Sequence, residues 1–474
     1  MFSNYRIKLG AGIMNANWHK KKKIYNDLSQ LCGVSVILTE EYLSTFCTNF
    51  GGMYSISPLA VVCVKNTNLI IDIIHYCNIN EIPVNIRGVG HSFGTQSLSK
   101  GIVLVVSVEN PVFEQIDEYK FKVSAFETWL SVEYFLRKNG LSFPILTRHP
   151  DTTVGGTLSV GGYGEDSYLY GSQASCIQSY TLITPDGKRH RCSEDSNSEL
   201  YNFGLVSLGI LGIIEDVTFE AIPLRVENIL YVIEFEGVFH LLNFLILISE
   251  YSNLDIEAVT CQLYRGRYYV NMVLSNNSVQ TNIINKVLEC QVTGCIGYKY
   301  HSVSDYRGRT FGAYRHDLWN REHVNLWGDY CVDQNNIMAF ANFLLNKIIN
   351  NDIFIRNKGR LLIILKKSPS LSKFFPFEPI SKKMSGIVFG VGVYFTFPRS
   401  EREEYERLKL LHSQILEECI LNEGRPYLAG WHEMKYEDKI KIYGDDYIKI
   451  LALKKRLDPK GIVNNYDFFS IEMN

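Results

Sequence analysis

The spacing of hydrophobic residues along the first half of the chain predicts alternating helices and strands. Apolar residues recur at helical spacing over residues 66–78, and short apolar runs over 83–87 and 101–108 are typical of buried strands. The sequence Pro185-Asp186-Gly187 has the composition of a tight turn and predicts a hairpin between its flanking segments. Partial alternation over 210–221 predicts a strand that closes this half.

From about Val226 the pattern changes to longer strands that alternate with amphipathic helices. The predicted strands are 230–235, 268–274 and 386–397, and the predicted helices are 238–250, 401–419 and 445–457. This order is typical of an antiparallel sheet covered by helices, and it predicts a separate α+β unit.

Composition limits the classes of protein to which the chain can belong. With 474 residues, 46% hydrophobic and 21% charged, the chain is long enough for two domains with a sizeable core. A formal net charge of -2 argues against nucleic-acid or anionic-membrane binding, and the most apolar stretch, 241–248, is too short to span a bilayer. Eleven cysteines without a CxxC pair favour unpaired thiols and no metal site. We therefore expect a cytoplasmic protein.

The first glycine-rich segment, Gly88-Val89-Gly90-His91-Ser92, directly follows a predicted strand. Glycines at such a turn allow positive φ angles and bring backbone N–H groups close to a ligand, where successive N–H groups can bind an anion such as a pyrophosphate. Glycine turns after strands are also common without any ligand. Taken alone, this segment leaves both interpretations open.

The second glycine-rich segment, residues 153–164, has five glycines among twelve residues. We expect a loop here, because each glycine costs about 1 kcal/mol relative to alanine inside a helix. The segment lacks the Gly-Lys-Ser/Thr of a phosphate-binding P-loop, and its glycines do not form the GxGxxG fingerprint of a Rossmann fold. The two segments together predict a large cofactor held between non-Rossmann loops.

Several ordered motifs resemble the vanillyl-alcohol oxidase / p-cresol methylhydroxylase superfamily of flavoproteins, and most of all cytokinin dehydrogenases and their bacterial relatives. The motifs are TNFGG at 48–52, RGVGHS at 87–92 with Gln96, TVGGTLS at 153–159, LGILGII at 208–214 and KKRLDP at 454–459. The resemblance implies an α+β fold with an FAD-binding domain of the p-cresol methylhydroxylase type. That domain would comprise residues 1–225 and 425–474, and an inserted α+β substrate domain would comprise residues 226–424.

The resemblance also assigns the cofactor and its contacts. In relatives, the histidine of Gly-His-Ser carries FAD through an 8α-methyl bond, and this role falls on His91; the alternative is a histidine that only packs in the loop. The residues that match flavin contacts by position are Gly88, Val89, Gly90, His91, Ser92, Gln96, Thr153, Gly156, Ser159, Tyr163, Ile214 and Tyr427.

The sequence departs from the family where the catalytic base is expected. Cytokinin dehydrogenases have an aspartate five residues before the Thr of TVGG, and here that position is Arg148, which cannot act as a base at ordinary pH. The candidate catalytic residues are therefore Arg148, His149 and Asp151. Further candidates for acid–base work are His432, Tyr264, Tyr268, Tyr269 and Tyr394.

Three functional hypotheses follow. The first is an FAD-linked oxidase or dehydrogenase that moves hydride from a small organic substrate to the flavin, in biosynthesis of a secondary metabolite, with oxygen or another acceptor taking the electrons. The second is a cytokinin dehydrogenase with a base displaced to Asp151, and the third is a non-redox protein that has lost its base. We expect no nucleic-acid or membrane partner and a monomer or homodimer.

Overall fold

A computed structural model describes residues 16–31, 33–251, 254–264, 266–308, 323–357, 359–367 and 373–469. The helices are α1 (Ala16–Leu28), α2 (Glu40–Leu43), α3 (Asn68–Asn80), α4 (Trp129–Arg137), α5 (Val154–Leu158), α6 (Ser167–Tyr170), α7 (Ser198–Gly204), α8 (Val238–Glu250), α9 (Ser278–Cys290), α10 (Ile337–Phe343), α11 (Asp352–Arg356), α12 (Arg402–Leu421), α13 (Tyr436–Tyr443) and α14 (Asp445–Leu457). A π-helix (Leu344–Ile349) continues α10, and three 3-10 turns occupy Ser44–Phe46, Ala174–Cys176 and Asp467–Phe469.

The first sheet is small and largely parallel. Its strands, in spatial order, are β1 (Val34–Ile37), β2 (Ala60–Val64), β4 (Ile102–Val106) and β3 (Val84–Ile86). Strand β4 runs parallel to both of its neighbours, and its first three residues are buried, as expected for a strand covered on both faces. Helix α3 buries Ile70, Ile73, Ile74 and Cys77 against this sheet, which confirms the predicted helical spacing.

The second sheet of the first half is entirely antiparallel. Its spatial order is β5 (Phe113–Gln115), β6 (Lys120–Ser124), β10 (Ile213–Glu220), β8 (Ile177–Ile183) and β9 (Arg189–Ser193). The predicted hairpin is present, because β8 pairs with β9 across the 185–187 turn. A separate two-stranded ribbon joins β7 (Leu141–Ser142) to β11 (Ile222–Pro223).

The second half is built on one eight-stranded antiparallel sheet. Its spatial order is β15 (Cys295–Ser304), β12 (Glu227–Phe235), β14 (Arg267–Ser275), β13 (Ile256–Tyr264), β17 (Arg360–Lys367), β18 (Ile387–Pro398), β16 (His323–Asp333) and β19 (Arg425–Pro426). Helices α8 and α9 bury apolar residues against the sheet. The sequence predicted α8 but not α9. The α+β class is therefore confirmed, whereas the domain boundaries at 225 and 425 stay a prediction.

One expectation about local structure was wrong. The segment 153–164 is not loop throughout, because Val154–Leu158 forms the one-turn helix α5. Gly155 lies in this turn against the backbone of Ala125, and a Cβ there would lie 3.1 Å from the Ala125 carbonyl oxygen. The glycine therefore allows a close approach of two backbones, and that requirement outweighs its low helix propensity.

The KKRLDP motif fastens the C-terminal end of the chain to the first half. Lys454 Nζ is buried and donates hydrogen bonds to the carbonyl of Ile210 (2.9 Å), to Asp458 Oδ2 (2.6 Å) and to the carbonyl of Val463 (2.5 Å). Asp458 accepts from the N–H groups of Ile462 and Val463, each at 2.9 Å. Val463 then bridges to Val84 of β3, directly before the first glycine-rich segment.

We predict that Asp458→Ala lowers the free energy of unfolding by about 3–5 kcal/mol, because it leaves the Lys454 cation buried without its carboxylate. Arg456→Ala is the matched control in the same helix, since it removes only an exposed ion pair with Glu199 and should cost less than about 1 kcal/mol. Urea unfolding monitored by tryptophan fluorescence compares the two. Similar losses in both variants would contradict this role of Asp458.

Candidate active site

A large cavity lies between the two glycine-rich segments and the eight-stranded sheet. Its volume is about 1170 Å³, above the range of about 300–1,000 Å³ typical of small-molecule pockets. One wall is formed by residues drawn from 86–97, from 147–165 and from the start of β10. The opposite wall consists of side chains from β13, β17, β18 and β16. The cavity has the size needed for a dinucleotide-sized cofactor together with a small substrate.

The first glycine-rich segment leaves β3 and turns along the cavity wall. Gly90 has a φ of +80°, a conformation that favours glycine. Within the described chain, no hydrogen bond engages the backbone N–H groups of Gly88, Val89, Gly90 or Ser92. Four N–H groups next to a cavity are a suitable donor set for a phosphate or another anion.

The two glycine-rich segments touch each other at Gly88 and Thr153. A Cβ on Gly88 would lie 2.3 Å from Thr153 Oγ1, and a Cβ on Gly156 would lie 2.7 Å from the same atom. Ser159 lies one turn further on and donates from Oγ to the carbonyl of Gly155 at 2.7 Å. All four of these residues line the cavity, so the sequence-predicted contacts from both segments are brought together.

His91 lies on the cavity wall with its ring fixed by aromatic neighbours. It stacks on Phe50 with ring centroids 4.0 Å apart and an interplanar angle of 19°, and it tilts against His149 at 4.3 Å. Burial lowers the pKa of His91 to about 4. The imidazole is therefore neutral near pH 7 and keeps the lone pair on one ring nitrogen that bond formation requires.

The three candidate catalytic residues differ in their position relative to the cavity. His149 and Arg148 line the cavity, whereas Asp151 does not. Burial, followed by the charges of His91 and Arg148, lowers the pKa of His149 to about 2. Arg148 is 42% exposed and donates to Glu165 Oε1 from Nε (3.1 Å) and Nη2 (2.8 Å), so its charge is already paired.

The remaining predicted flavin contacts also lie on the cavity wall. These residues are Gln96, Tyr163, Ile214 and Tyr427. Tyr427 meets the ring of Tyr163 edge to face at 5.5 Å, and its backbone N–H donates to the carbonyl of Asp329 at 2.8 Å. Asn464 lines the cavity as well, but its amide already bonds to the N–H of Ile86 and the carbonyl of Gly209.

Unpaired polar atoms on the wall indicate that the cavity suits a polar ligand. Gln96 Oε1, Tyr163 Oη and Trp327 Nε1 are buried and have no hydrogen-bond partner among the described residues. Buried polar atoms without a partner are costly, so such atoms at a cavity indicate a missing ligand group or water. With the four unengaged N–H groups, these atoms fit the polar edges and phosphates of a flavin dinucleotide.

Comparison with known proteins agrees with this geometry. Residues 58–193 match a family described as an FAD binding domain. The chain carries an FAD-binding domain. The matched segment includes both glycine-rich segments and His91, and the resemblance to this flavoprotein superfamily is confirmed, with FAD as the cofactor of the domain.

The similar proteins are oxidoreductases by name. An uncharacterized oxidoreductase of the fasciation locus of Rhodococcoides fascians is 30% identical over 37% of this chain and 40% of its own length. Cytokinin dehydrogenase 1 of Arabidopsis thaliana is 33% identical over 35% of this chain and 30% of its own. The chain thus covers less than half of the length of these two relatives. Cytokinin dehydrogenase 4 of the same plant is 23% identical across 90% of this chain and 91% of its own length.

The sheet wall brings in residues that the sequence analysis missed. Asp329 and Trp327 on β16 and Lys366 on β17 line the cavity, together with Tyr394 on β18, which the sequence analysis named as one of several tyrosines. Lys366 Nζ donates to Cys331 Sγ at 3.1 Å and lies 3.5 Å from the ring centroid of Tyr163. One signal in the sequence could have indicated this wall: Gly390 and Gly392 lie inside β18, and glycines inside a strand are typical of a close approach to the strand.

Three of the other acid–base candidates lie away from the cavity. His432 is buried against Phe468, with ring centroids 5.7 Å apart, and does not line the cavity; neither do Tyr268 and Tyr269. The side chain of Tyr264 lies outside the described part of the structure. In the described residues there is no group of three or more histidine, cysteine, aspartate or glutamate side chains that could hold a metal ion. Nor does any helix described here have the length and apolar character to cross a membrane.

We predict that Gly88→Ala weakens FAD binding, because its Cβ would push Gly88 and Thr153 apart and displace the unengaged N–H groups. Overpacking of about 1–3 kcal/mol corresponds to a loss of affinity of about 5- to 150-fold. The measurement is fluorescence titration of apoprotein with FAD, in a His91→Ala background that keeps binding reversible.

The matched control for this titration is Gly297→Ala, whose Cβ would have open space around it. That variant should bind FAD like its parent. Equal affinity in the Gly88 and Gly297 variants would show that the contact between the two segments does not shape the cofactor site.

Proposed function

We propose that the protein is an FAD-linked oxidoreductase that oxidises a small organic substrate, with FAD joined covalently to His91. Bound FAD would accept hydride from a C–H bond next to nitrogen or oxygen, or from a saturated C–C bond, and oxygen or another acceptor would then take the electrons. The observation that carries the proposal is the neutral, ring-stacked His91 on the cavity wall between two glycine-rich segments.

Different residues around this cavity would contact different parts of the cofactor and the substrate. The N–H groups of Gly88, Val89 and Gly90 supply the donors for the phosphates, and Gln96 and Tyr163 supply polar atoms for the ring system. Phe50 holds the His91 ring at a fixed orientation, so that the ring can present one nitrogen to the cofactor without a change of rotamer. The wall from β16, β17 and β18 faces the space that is left for substrate.

A cytokinin dehydrogenase activity is the second candidate, because the relatives named for that activity include one that aligns along nearly the whole chain. Two observations weigh against it. Arg148 occupies the position of the family base and is paired with Glu165, and Asp151 does not line the cavity. We therefore favour another small substrate, with biosynthesis as the setting and the cytoplasm as the compartment. The ten described cysteines are all free thiols, which accords with a reducing compartment.

We predict that the purified protein is yellow and that acid precipitation leaves the colour in the pellet. The His91→Ala variant should bind FAD but release it into the supernatant, because no bond then holds the flavin. His149→Ala is the control, since it removes the neighbouring ring but not the predicted attachment atom. A colourless protein that takes up no FAD would contradict the proposed function, and colour released from the wild type would contradict only the covalent role of His91.

A further inference from the structure

The sheet wall of the cavity carries a carboxylate, Asp329, that has no role among the cofactor contacts. Asp329 on β16 accepts a hydrogen bond from Tyr394 Oη on β18 at 2.6 Å, and both side chains line the cavity. Glu165, the other carboxylate that lines the cavity, lies on the opposite wall and is engaged by Arg148 and by the hydroxyl of Tyr306. Asp329 has no cation within salt-bridge distance in the described chain.

Gly392 makes the contact between Asp329 and Tyr394 possible. It lies opposite Asp329 in the register of β16 and β18, two residues before Tyr394. A Cβ on Gly392 would lie 2.2 Å from Tyr394 Oη and 2.6 Å from Asp329 Oδ1. A glycine inside a strand weakens the sheet, so its presence here accords with a specific need for space above the strand. The tyrosine folds back over this glycine to reach the carboxylate.

The groups around Asp329 act on its charge in opposite directions. Burial raises its pKa, whereas the hydrogen bond from Tyr394 and the positive charge of Lys366 on β17 act to lower it, and the net direction is upward. Tyr427, which follows β19, also faces Asp329, and burial followed by the charge of Asp329 raises the pKa of that phenol. Cys331 is the neighbouring thiol on β16 itself, and burial raises its pKa. An aspartate in this setting holds a proton more firmly than one in water, which suits a group that accepts a proton during a reaction.

We propose that Asp329 is the proton acceptor of the reaction, positioned by Tyr394, and that the substrate is an alcohol or amine with its O–H or N–H next to the oxidised carbon. This proposal rests on the proposed function. When bound, oxidised FAD would supply the two-electron oxidant that takes up the hydride of the C–H bond. The O–H or N–H proton passes to the Asp329 carboxylate, and a C=O or C=N bond forms. The substrate loses two electrons and two hydrogens, and the carboxylic acid later returns its proton to water.

The proposed base lies on the wall of the cavity opposite the segment before TVGG, where the family has its base. Arg148 holds the expected position and, paired with Glu165, cannot accept a proton. Asp329 on β16 would then accept the substrate proton in place of the family base. Asp151 is the other carboxylate considered as the base, and it does not line the cavity.

The test starts from the yellow holoprotein and needs no substrate. The visible spectrum of the flavin is recorded from about pH 4 to 9, a range that begins at the ordinary aspartate pKa, for the wild type and for Asp329→Asn, Tyr394→Phe and Glu378→Gln. Because Asp329 faces the substrate space next to the proposed flavin position, its ionisation should shift the flavin spectrum with one inflection, above the ordinary aspartate pKa of about 3.9. The inflection should disappear in Asp329→Asn. It should move to higher pH in Tyr394→Phe, since the bond that favours the carboxylate is lost.

Glu378→Gln is the matched control. Glu378 is also a buried carboxyl, and burial raises its pKa to about 7, but it does not line the cavity. This variant should keep the inflection. An inflection that survives in Asp329→Asn, vanishes in Glu378→Gln, or is absent from a yellow wild type would overturn the proposal. A protein without bound FAD would instead overturn the proposed function. Gly392→Ala provides a second variant, and it should behave like Tyr394→Phe because its Cβ would separate the pair.

Anaerobic flavin reduction then tests the chemical role with benzyl alcohol, benzylamine and isopentenyl adenine as probes. For any probe that bleaches the wild type, Asp329→Asn should slow bleaching by about 100-fold or more, while Glu378→Gln should not. Unchanged bleaching in Asp329→Asn would overturn the assignment. If none of the three probes bleaches the flavin, the spectral titration alone decides.

Discussion

The close approach of Gly88 to Thr153 is the contact on which the cofactor site depends. It brings a segment that leaves the parallel sheet against a segment that begins helix α5, and only a residue without a Cβ fits between them. The N–H groups of the first segment and the hydroxyls of the second then line one side of the cavity. Contacts with neighbouring strands hold both segments in place, and a site held in this way costs less entropy to order when a ligand binds.

Residues far apart in sequence complete this arrangement. Lys454 and Asp458 hold the end of the chain against the first half, where Asn464 bonds to the N–H of Ile86 directly before the glycine-rich segment. The eight-stranded sheet supplies the opposite wall, with Asp329 and Tyr394 on neighbouring strands. The cavity thus combines a cofactor wall from the first half with a second wall whose polar groups are suited to a substrate.

The sequence could predict much of this but not all of it. Helix α8 and helix α14 agree with their predicted limits, because their periodicity is strong and their ends are well marked. The two glycine-rich segments and His91 were predicted to meet at one cofactor, and all of them line the cavity. Helix α5 was missed, because a packing requirement at Gly155 cannot be seen in local propensities. Asp329 was missed because strand pairing, not sequence distance, brings it to Tyr394.

The central claim is that FAD lies in this cavity with its ring system between His91 and the sheet wall. A crystal structure of the yellow protein tests this claim most directly. The account predicts continuous electron density from the His91 ring to the flavin, phosphates at the N–H groups of residues 88–90, and a substrate-sized space between the flavin and Asp329. FAD bound at another site, or a flavin ring separated from Asp329 by protein, would contradict the account.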